Sequence, residues 1–209
     1  MAEHDGNGWV SCRCGSRHWG LYGAAGLVLL RTAPQGRPAE VLLQLRAPWT
    51  HLGGTWGLPG GARDSHEDVT TAALREAHEE ADVVPSRVQV LAILPGLDHA
   101  DWRYTYVVGL AAGDVRARPL TAESDELRWV ALEQVAALPL HPSLAQAWPD
   151  LAPAALAAVA AVAAVAPLDA VKPVDAVKPV DDPGGALSGP RRQAPPAAPA
   201  PPRPPRRPR

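Results

Sequence analysis

Between residues 65 and 83 the chain calls for a helix with two very different faces. Val69, Ala72, Ala73, Ala77 and Ala81 recur at three- and four-residue spacing and so line one stripe of an α-helix. Their side chains are small, which suits a helix lying close on a sheet. Toward the C-terminal end come Glu76, Glu79 and Glu80. At about 100° per residue, with Glu76 at zero, Glu79 falls at about −60° and Glu80 at about +40°, so the three carboxylates share an arc of about 100°. Such a group repels itself unless a divalent cation neutralises it, and magnesium or manganese is expected. Arg75 flanks the arc four residues before Glu79, where its guanidinium can hold that carboxylate by two parallel hydrogen bonds. Glu67 projects about 180° away from Glu76 and two turns earlier, so it reads as a supporting residue and not a ligand.

The helix has a readable start. Ser65 with Asp68 makes a capping-box-like pair, and Glu67 and Asp68 place negative charge at the positive end of the helix dipole. A glycine-rich approach, Trp56-Gly57-Leu58-Pro59-Gly60-Gly61, precedes it. Gly61, five residues, Glu67, seven residues, then Arg75-Glu76-Ala77-His78-Glu79-Glu80-Ala81-Asp82-Val83 resembles the Nudix box of the MutT-like pyrophosphohydrolases. The resemblance covers residues 20–150 and is most specific over 56–83. One position departs from the pattern: Asp82 stands where the family usually has Gly. A left-handed residue is expected to end the helix there, and Asp tolerates that conformation better than most side chains.

The resemblance implies a function and a set of roles. It makes Glu76, Glu79 and Glu80 the metal ligands, with the Gly60 carbonyl a further candidate, and leaves Arg75 to orient the carboxylates. Glu123, six residues before Trp129, is similar in spacing to a distal acidic residue that approaches the metal or activates water, with Glu126 as its competitor. Arg46, ahead of the Gly53-Gly54-Thr55-Trp56 turn, is placed to reach a substrate phosphate, as are Gly60 and Gly61. The implied reaction is Mg2+-dependent hydrolysis of a nucleoside diphosphate linked to another group. A bound divalent ion neutralises the pyrophosphate and acidifies water, and a carboxylate accepts the proton, so no protein nucleophile is required. Nucleoside triphosphates are slightly favoured as substrate. The alternatives are a non-catalytic Nudix-fold module that senses a nucleotide, and an interaction protein whose business lies in its C-terminal segment.

The rest of the chain is consistent with that fold. Apolar, β-prone runs at 22–31, 40–45, 88–94, 104–111 and 127–130 are separated by Gly and Pro, and a helical stretch at 132–138 follows the last. An α/β sandwich with a mixed sheet between helices is expected. Phe is absent and all seven Trp precede residue 150, which places the packed unit there. The expected organisation is an N-terminal cover over 1–20, in which Trp9 and Trp19 pack on the domain, the catalytic domain over 21–150, an alanine-rich helix over 151–166 opened by Pro153, and a low-complexity disordered tail over 167–209. That tail repeats Asp169-Ala170-Val171-Lys172-Pro173-Val174 once and ends in Pro, Ala and Arg. Its six arginines past residue 190 leave residues 1–190 at −8 of the net −2, which argues against a nucleic-acid platform.

Cys12, Cys14 and His18 invite a zinc reading but leave a tetrahedral site one ligand short, with His4 a doubtful fourth, so zinc is not expected. The loop His99, Asp101, Trp102, Arg103 could face a base or cap the sheet. With two cysteines and no apolar run over residues 1–8, a cytoplasmic protein is expected, without membrane partners and as a monomer or homodimer.

Overall fold

The computed structural model describes residues 4–32, 38–113 and 115–165. In chain order these hold β1 (Trp9–Ser11), β2 (Arg17–Trp19), β3 (Ala24–Thr32), β4 (Pro38–Arg46), β5 (Trp56–Gly57), β6 (Gly60–Ala62), α1 (Val69–Ala81), β7 (Val88–Asp98), β8 (Arg103–Ala111), β9 (Ser124–Ala131) and α2 (Pro142–Val165), with short 3-10 turns at Pro85–Arg87 and Leu132–Ala137. Each of the five expected strands is present. The short strands β1, β2, β5 and β6 were not foreseen, because two or three residues are too few to show an alternation.

The main sheet runs β5-β4-β3-β8-β7, with β6 also pairing to β3 and β9 to β4. β3 and β8 are parallel, with Leu27 beside Val107, while the other pairs are antiparallel. The sheet is therefore mixed, and helices cover both faces. Alternation along β3 sorts the core: Ala25, Leu27 and Leu29 meet Ala72, Ala73, Ala77 and Ala81 of α1. Val28 and Leu30 face the other way, into a cluster with Val41, Leu43, Tyr106 and Trp148, Leu151, Ala155 and Val159 of α2.

Both helices begin elsewhere than the sequence suggests. α1 is capped by Asp68, which has an extended backbone and whose Oδ1 accepts the Thr71 N–H at 2.7 Å. Ser65 lies outside the helix, its N–H and hydroxyl donating to Asp5 at 2.8 and 2.6 Å. At the other end Asp82 does adopt the left-handed conformation, φ 58° and ψ 24°, and takes Arg118 Nε at 2.6 Å. α2 starts at Pro142 and not at Pro153, with Pro149 and Pro153 both inside it. An interior proline costs about 3 kcal/mol. Burial of Leu144, Trp148, Leu151, Ala155 and Val159 on one face offsets that, and it carries the core beyond residue 150.

The N-terminal hairpin β1-β2 is fastened by its backbone more than by its tryptophans. Trp9 and Trp19 stack edge to face on each other at 5.3 Å, Trp9 also meets the His51 ring at 6.1 Å, and the two stay 44% and 43% exposed, on the surface and not in the core. The anchors are Trp102, whose indole N–H donates to the Trp19 carbonyl at 3.0 Å, and the buried Asp64, which accepts the His4 and Gly6 N–H groups at 2.9 and 2.8 Å. Residues 167–209, including the repeat and the arginines, lie outside the described residues. Among those described, no helix is long and apolar enough to cross a membrane.

Candidate active site

β6 and the end of α1 meet because alanine on the helix and glycine on the strand let two backbones approach. Gly26, Ala25 and Ala24 of β3 pair with Gly60, Gly61 and Ala62. A Cβ on Gly60 would lie 2.4 Å from the Ala25 carbonyl oxygen, and one on Gly61 would lie 2.7 Å from the Glu76 carboxyl carbon. The glycine-rich turn is thus a strand pressed against a carboxylate. No larger residue leaves Glu76 where it is.

Arg75 is the hub of this corner. Its Nε and one terminal nitrogen donate to the two oxygens of Glu67 at 2.7 and 3.0 Å, and that second nitrogen also donates to the Ala62 carbonyl at 2.9 Å. The other terminal nitrogen donates to Glu76 at 3.0 Å and to Glu79 at 3.1 Å. The expected two-pronged grip on Glu79 is therefore made on Glu67 instead. Glu67 comes from the turn before the helix, outside the helical projection that set it opposite Glu76, and it is anchored further by the Asp64 N–H at 3.1 Å. The guanidinium holds the Glu67 carboxyl below its usual range.

The three clustered glutamates grade from open to closed. The Glu79 side chain is 39% exposed and that of Glu76 is 14%. Glu80 is buried and accepts the Gly60 N–H at 3.1 Å. Burial, and then the neighbouring Glu76, push the Glu80 carboxyl up to about 7, against the opposing pull of the Gly60 N–H, the Gln44 amide and the Arg46 charge. Burial also raises Glu76, opposed by Arg75. The three oxygens do not converge to within 4.8 Å of one another as the cysteine and histidine atoms at the hairpin do. They divide between two donors instead: Glu76 and Glu79 share Arg75, and Glu80 turns to the Gly60 N–H.

Around this corner the other expected residues take separate places. Arg46 ends β4, donates through Nε to the His51 carbonyl at 3.1 Å, and acts electrostatically on Glu80. The Glu123 carbonyl accepts the Ala47 N–H at 2.8 Å, which sets Glu123 beside the end of β4, with its carboxylate exposed and without a partner among the described residues. Glu126 is committed to Arg128, at 2.8 Å, and Arg128 in turn lies over the Trp56 ring. His78 is exposed. Trp102 is buried under the hairpin and stacks on His18 at 4.6 Å, so the 99–103 loop caps the sheet with this ring.

Two residues of this corner were not foreseen. Gln44 is fully buried, donates to Ser124 Oγ at 2.6 Å, and supports the charged form of Glu80. A lone amide in Val41-Leu42-Leu43-Gln44-Leu45 was the available signal. The Tyr104 phenol lies over Gly26, where burial raises its pKa, and nothing in the pattern of β8 marks it.

The donor set is all hard oxygen. A carboxyl whose pKa is pushed up to about 7 by burial and then by a neighbouring carboxylate is the environment a small divalent cation relieves.

Comparison with known proteins agrees with this geometry. A family model described as NUDIX domain matches residues 22–151. A Mycobacterium tuberculosis protein named "Putative 8-oxo-dGTP diphosphatase 3" is 52% identical over 149 residues, 69% of this chain and 68% of its own length. A Bifidobacterium longum protein named "Nucleoside triphosphate pyrophosphatase/Nudix hydrolase fusion protein" is 39% identical over 150 residues, 70% of this chain and 31% of its own. Among solved structures, a Nudix hydrolase from M. smegmatis, RenU, superposes with a TM-score of 0.66 at 45% identity, covering 78% of this chain and 98% of that one.

Proposed function

The chain belongs to the Nudix family of hydrolases acting on phosphorus-containing anhydrides, and from that footing we propose that it is a magnesium-dependent diphosphatase of nucleoside triphosphates. The observation that carries the reading is the Arg75 hub, which fixes Glu67, Glu76 and Glu79 beside the Gly60-Gly61 strand while Glu80 backs onto the Gly60 N–H.

Glu76, Glu79 and Glu80 would hold the divalent ion, with the Gly60 carbonyl available to it. When bound, the ion supplies charge neutralisation of the pyrophosphate and acidification of water. The remaining work falls to the chain. Arg75 keeps Glu76 and Glu79 oriented, and Glu67 braces its guanidinium. Glu123, exposed beside the end of β4, is the carboxylate available to accept the proton from the attacking water. Arg46, at the end of β4, is the cation for a substrate phosphate.

Substrate choice is read from the M. tuberculosis relative, whose name specifies 8-oxo-dGTP, and purine nucleoside triphosphates including oxidised ones are the proposed class. The two free cysteines suit a reducing compartment, and the cytoplasm is the proposed location. The test is phosphate or pyrophosphate release from a nucleotide panel in magnesium, comparing the natural chain with Glu79→Gln and Glu80→Gln. Equal rates in the three proteins would sink the assignment, and tight nucleotide binding without turnover would favour the sensing module instead.

A further inference from the structure

We propose that Cys12, Cys14 and His18 bind one zinc ion at the tip of the N-terminal hairpin, a site separate from the glutamate cluster. The ligand atoms of the three side chains all lie within 4.8 Å of one another, and Cys14 Sγ is 3.2 Å from His18 Nε2. Zinc holds sulfur at about 2.3 Å and imidazole nitrogen at about 2.0–2.1 Å in tetrahedral array, so its ligands sit about 3.3–3.8 Å apart. The existing spacing needs a contraction of about an ångström at most.

The hairpin geometry produces this cluster. Cys12 and Cys14 lie in the turn between β1 and β2, folded back by Gly15 at φ +85° with Gly15 N–H donating to the Cys12 carbonyl at 3.0 Å. His18 lies on β2, opposite Val10. Its ring stacks on His99 at 4.5 Å and on Trp102 at 4.6 Å, nearly parallel to both, and those two rings lie 6.4 Å from each other. The stacking orients the imidazole plane, and Nε2 lies 3.2 Å from Cys14 Sγ. A histidine already held in its ligating orientation loses little entropy on binding.

The sequence argument against zinc was the lack of a fourth ligand, and His4 is indeed occupied elsewhere, its N–H donating to Asp64. Asp101 Oδ2 lies 3.8 Å from Cys12 Sγ, but that carboxylate is held by Arg13 at 2.9 Å. The fourth position therefore belongs to water on the exposed Cys14 side. Three protein ligands and one water make a complete zinc sphere. Two thiolates also balance the ion's charge, and their softness selects zinc, whereas the hard oxygens of α1 select magnesium. Bound zinc would tie the turn to His18 and, through the His99 and Trp102 stack, fasten the hairpin to the loop between β7 and β8.

The experiment uses the full chain, reduced, with zinc alone as ligand. The expected result is one zinc per chain after dialysis, protection of both thiols from a thiol reagent, and a thiolate-to-cobalt charge-transfer band when cobalt replaces zinc. Cys14→Ser, at an exposed position, and His18→Gln should each weaken zinc at least about tenfold. Glu79→Gln should leave zinc binding unchanged. Freely reactive thiols in the presence of zinc would overturn the site. So would zinc lost in Glu79→Gln and kept in Cys14→Ser, since the ion would then sit among the glutamates. Neither outcome bears on the hydrolase reading, which rests on phosphate release.

Discussion

The two helices cover opposite faces of one sheet and do different jobs. α1 meets the sheet through alanines, which place its backbone close to β3 and β6 and so carry Glu76 onto Gly61 and Glu80 onto Gly60. α2 meets it through Trp148, Leu151, Leu144 and Val159, and tolerates two interior prolines. One interface sets positions to a fraction of an ångström. The other contributes burial, which holds no reacting group in place. Chemistry and stability should therefore separate by face.

The largest effect tests the α1 side. Glu80→Gln keeps the shape and the acceptor for the Gly60 N–H but removes the charge, so kcat should fall by at least about a hundredfold, with the melting temperature unchanged or raised. Steady-state rates on a nucleoside triphosphate and a thermal melt measure both. A variant that melts several degrees lower while retaining its rate would break the separation.

A matched pair of core substitutions comes next. Leu151→Ala in α2 should cost about 2–5 kcal/mol of stability, measured by urea unfolding, and leave kcat within a factor of about two at a temperature where the protein is folded. Ala77→Leu in α1 should cost about 1–3 kcal/mol through overpacking. It should also depress kcat disproportionately, because lifting α1 moves Glu76 and Glu80 with it. Equal loss of activity per unit of stability in the two variants would show that neither face is privileged.

The chelated, metal-free protein offers a pH test of the same corner. Glu80 has a folded pKa of about 7 against an ordinary 4.5, so below 4.5 it is neutral in both states and has no effect. As pH rises from about 4.5 to about 7 the unfolded chain ionises first, and folding loses on the order of 3 kcal/mol at full extent. Glu67 works in the opposite sense: its depressed pKa contributes stability above about 4.5 that is lost on acidification. Melting temperature in a chelator should thus decline from pH 5 to 7 (about 7 being the Glu80 value), and Glu80→Gln should flatten that decline. An identical slope in both proteins would remove Glu80 from the account.

The same contrast explains what the sequence discloses. The alanine stripe, the glutamates and Arg75 lie within thirteen residues of one regular helix, so a fixed angular increment places them. The grip of Arg75 on Glu67 was hidden because Glu67 precedes the helix, where no repeat applies, and the N-cap at Asp68 decides its direction. Gln44 is brought to Glu80, and Tyr104 to Gly26, by strand pairings, and register is not written in any local pattern. The start of α2 was misplaced for a related reason. Local proline chemistry favours Pro153 as an opener, but Trp148 and Leu151 gain burial only if the helix already exists before it. The cysteine-histidine cluster was visible as a spacing, yet its assembly depends on Gly15 and on two rings, His99 and Trp102, more than eighty residues away.

The smallest predicted effect concerns the end of α1. Asp82 sits at φ 58°, a conformation that costs a non-glycine residue up to about 1 kcal/mol, and the family pattern has Gly there. Asp82→Gly relieves that strain but gives the unfolded chain more freedom and removes the ion pair with Arg118, whose side chain is 72% exposed. An exposed pair of this kind contributes about 0–1 kcal/mol, so the terms oppose one another and the net change should stay within about 1 kcal/mol. Because the left-handed turn is retained, Glu79 and Glu80 keep their positions and kcat should not move. The informative contrast is Asp82→Val, a β-branched residue that resists positive φ. It should unwind the last turn and lower kcat even though residue 82 touches no substrate, which would show that the helix terminus positions the carboxylates. A rate unchanged in Asp82→Val would mean that Arg75 and the Gly60 N–H are enough to hold them.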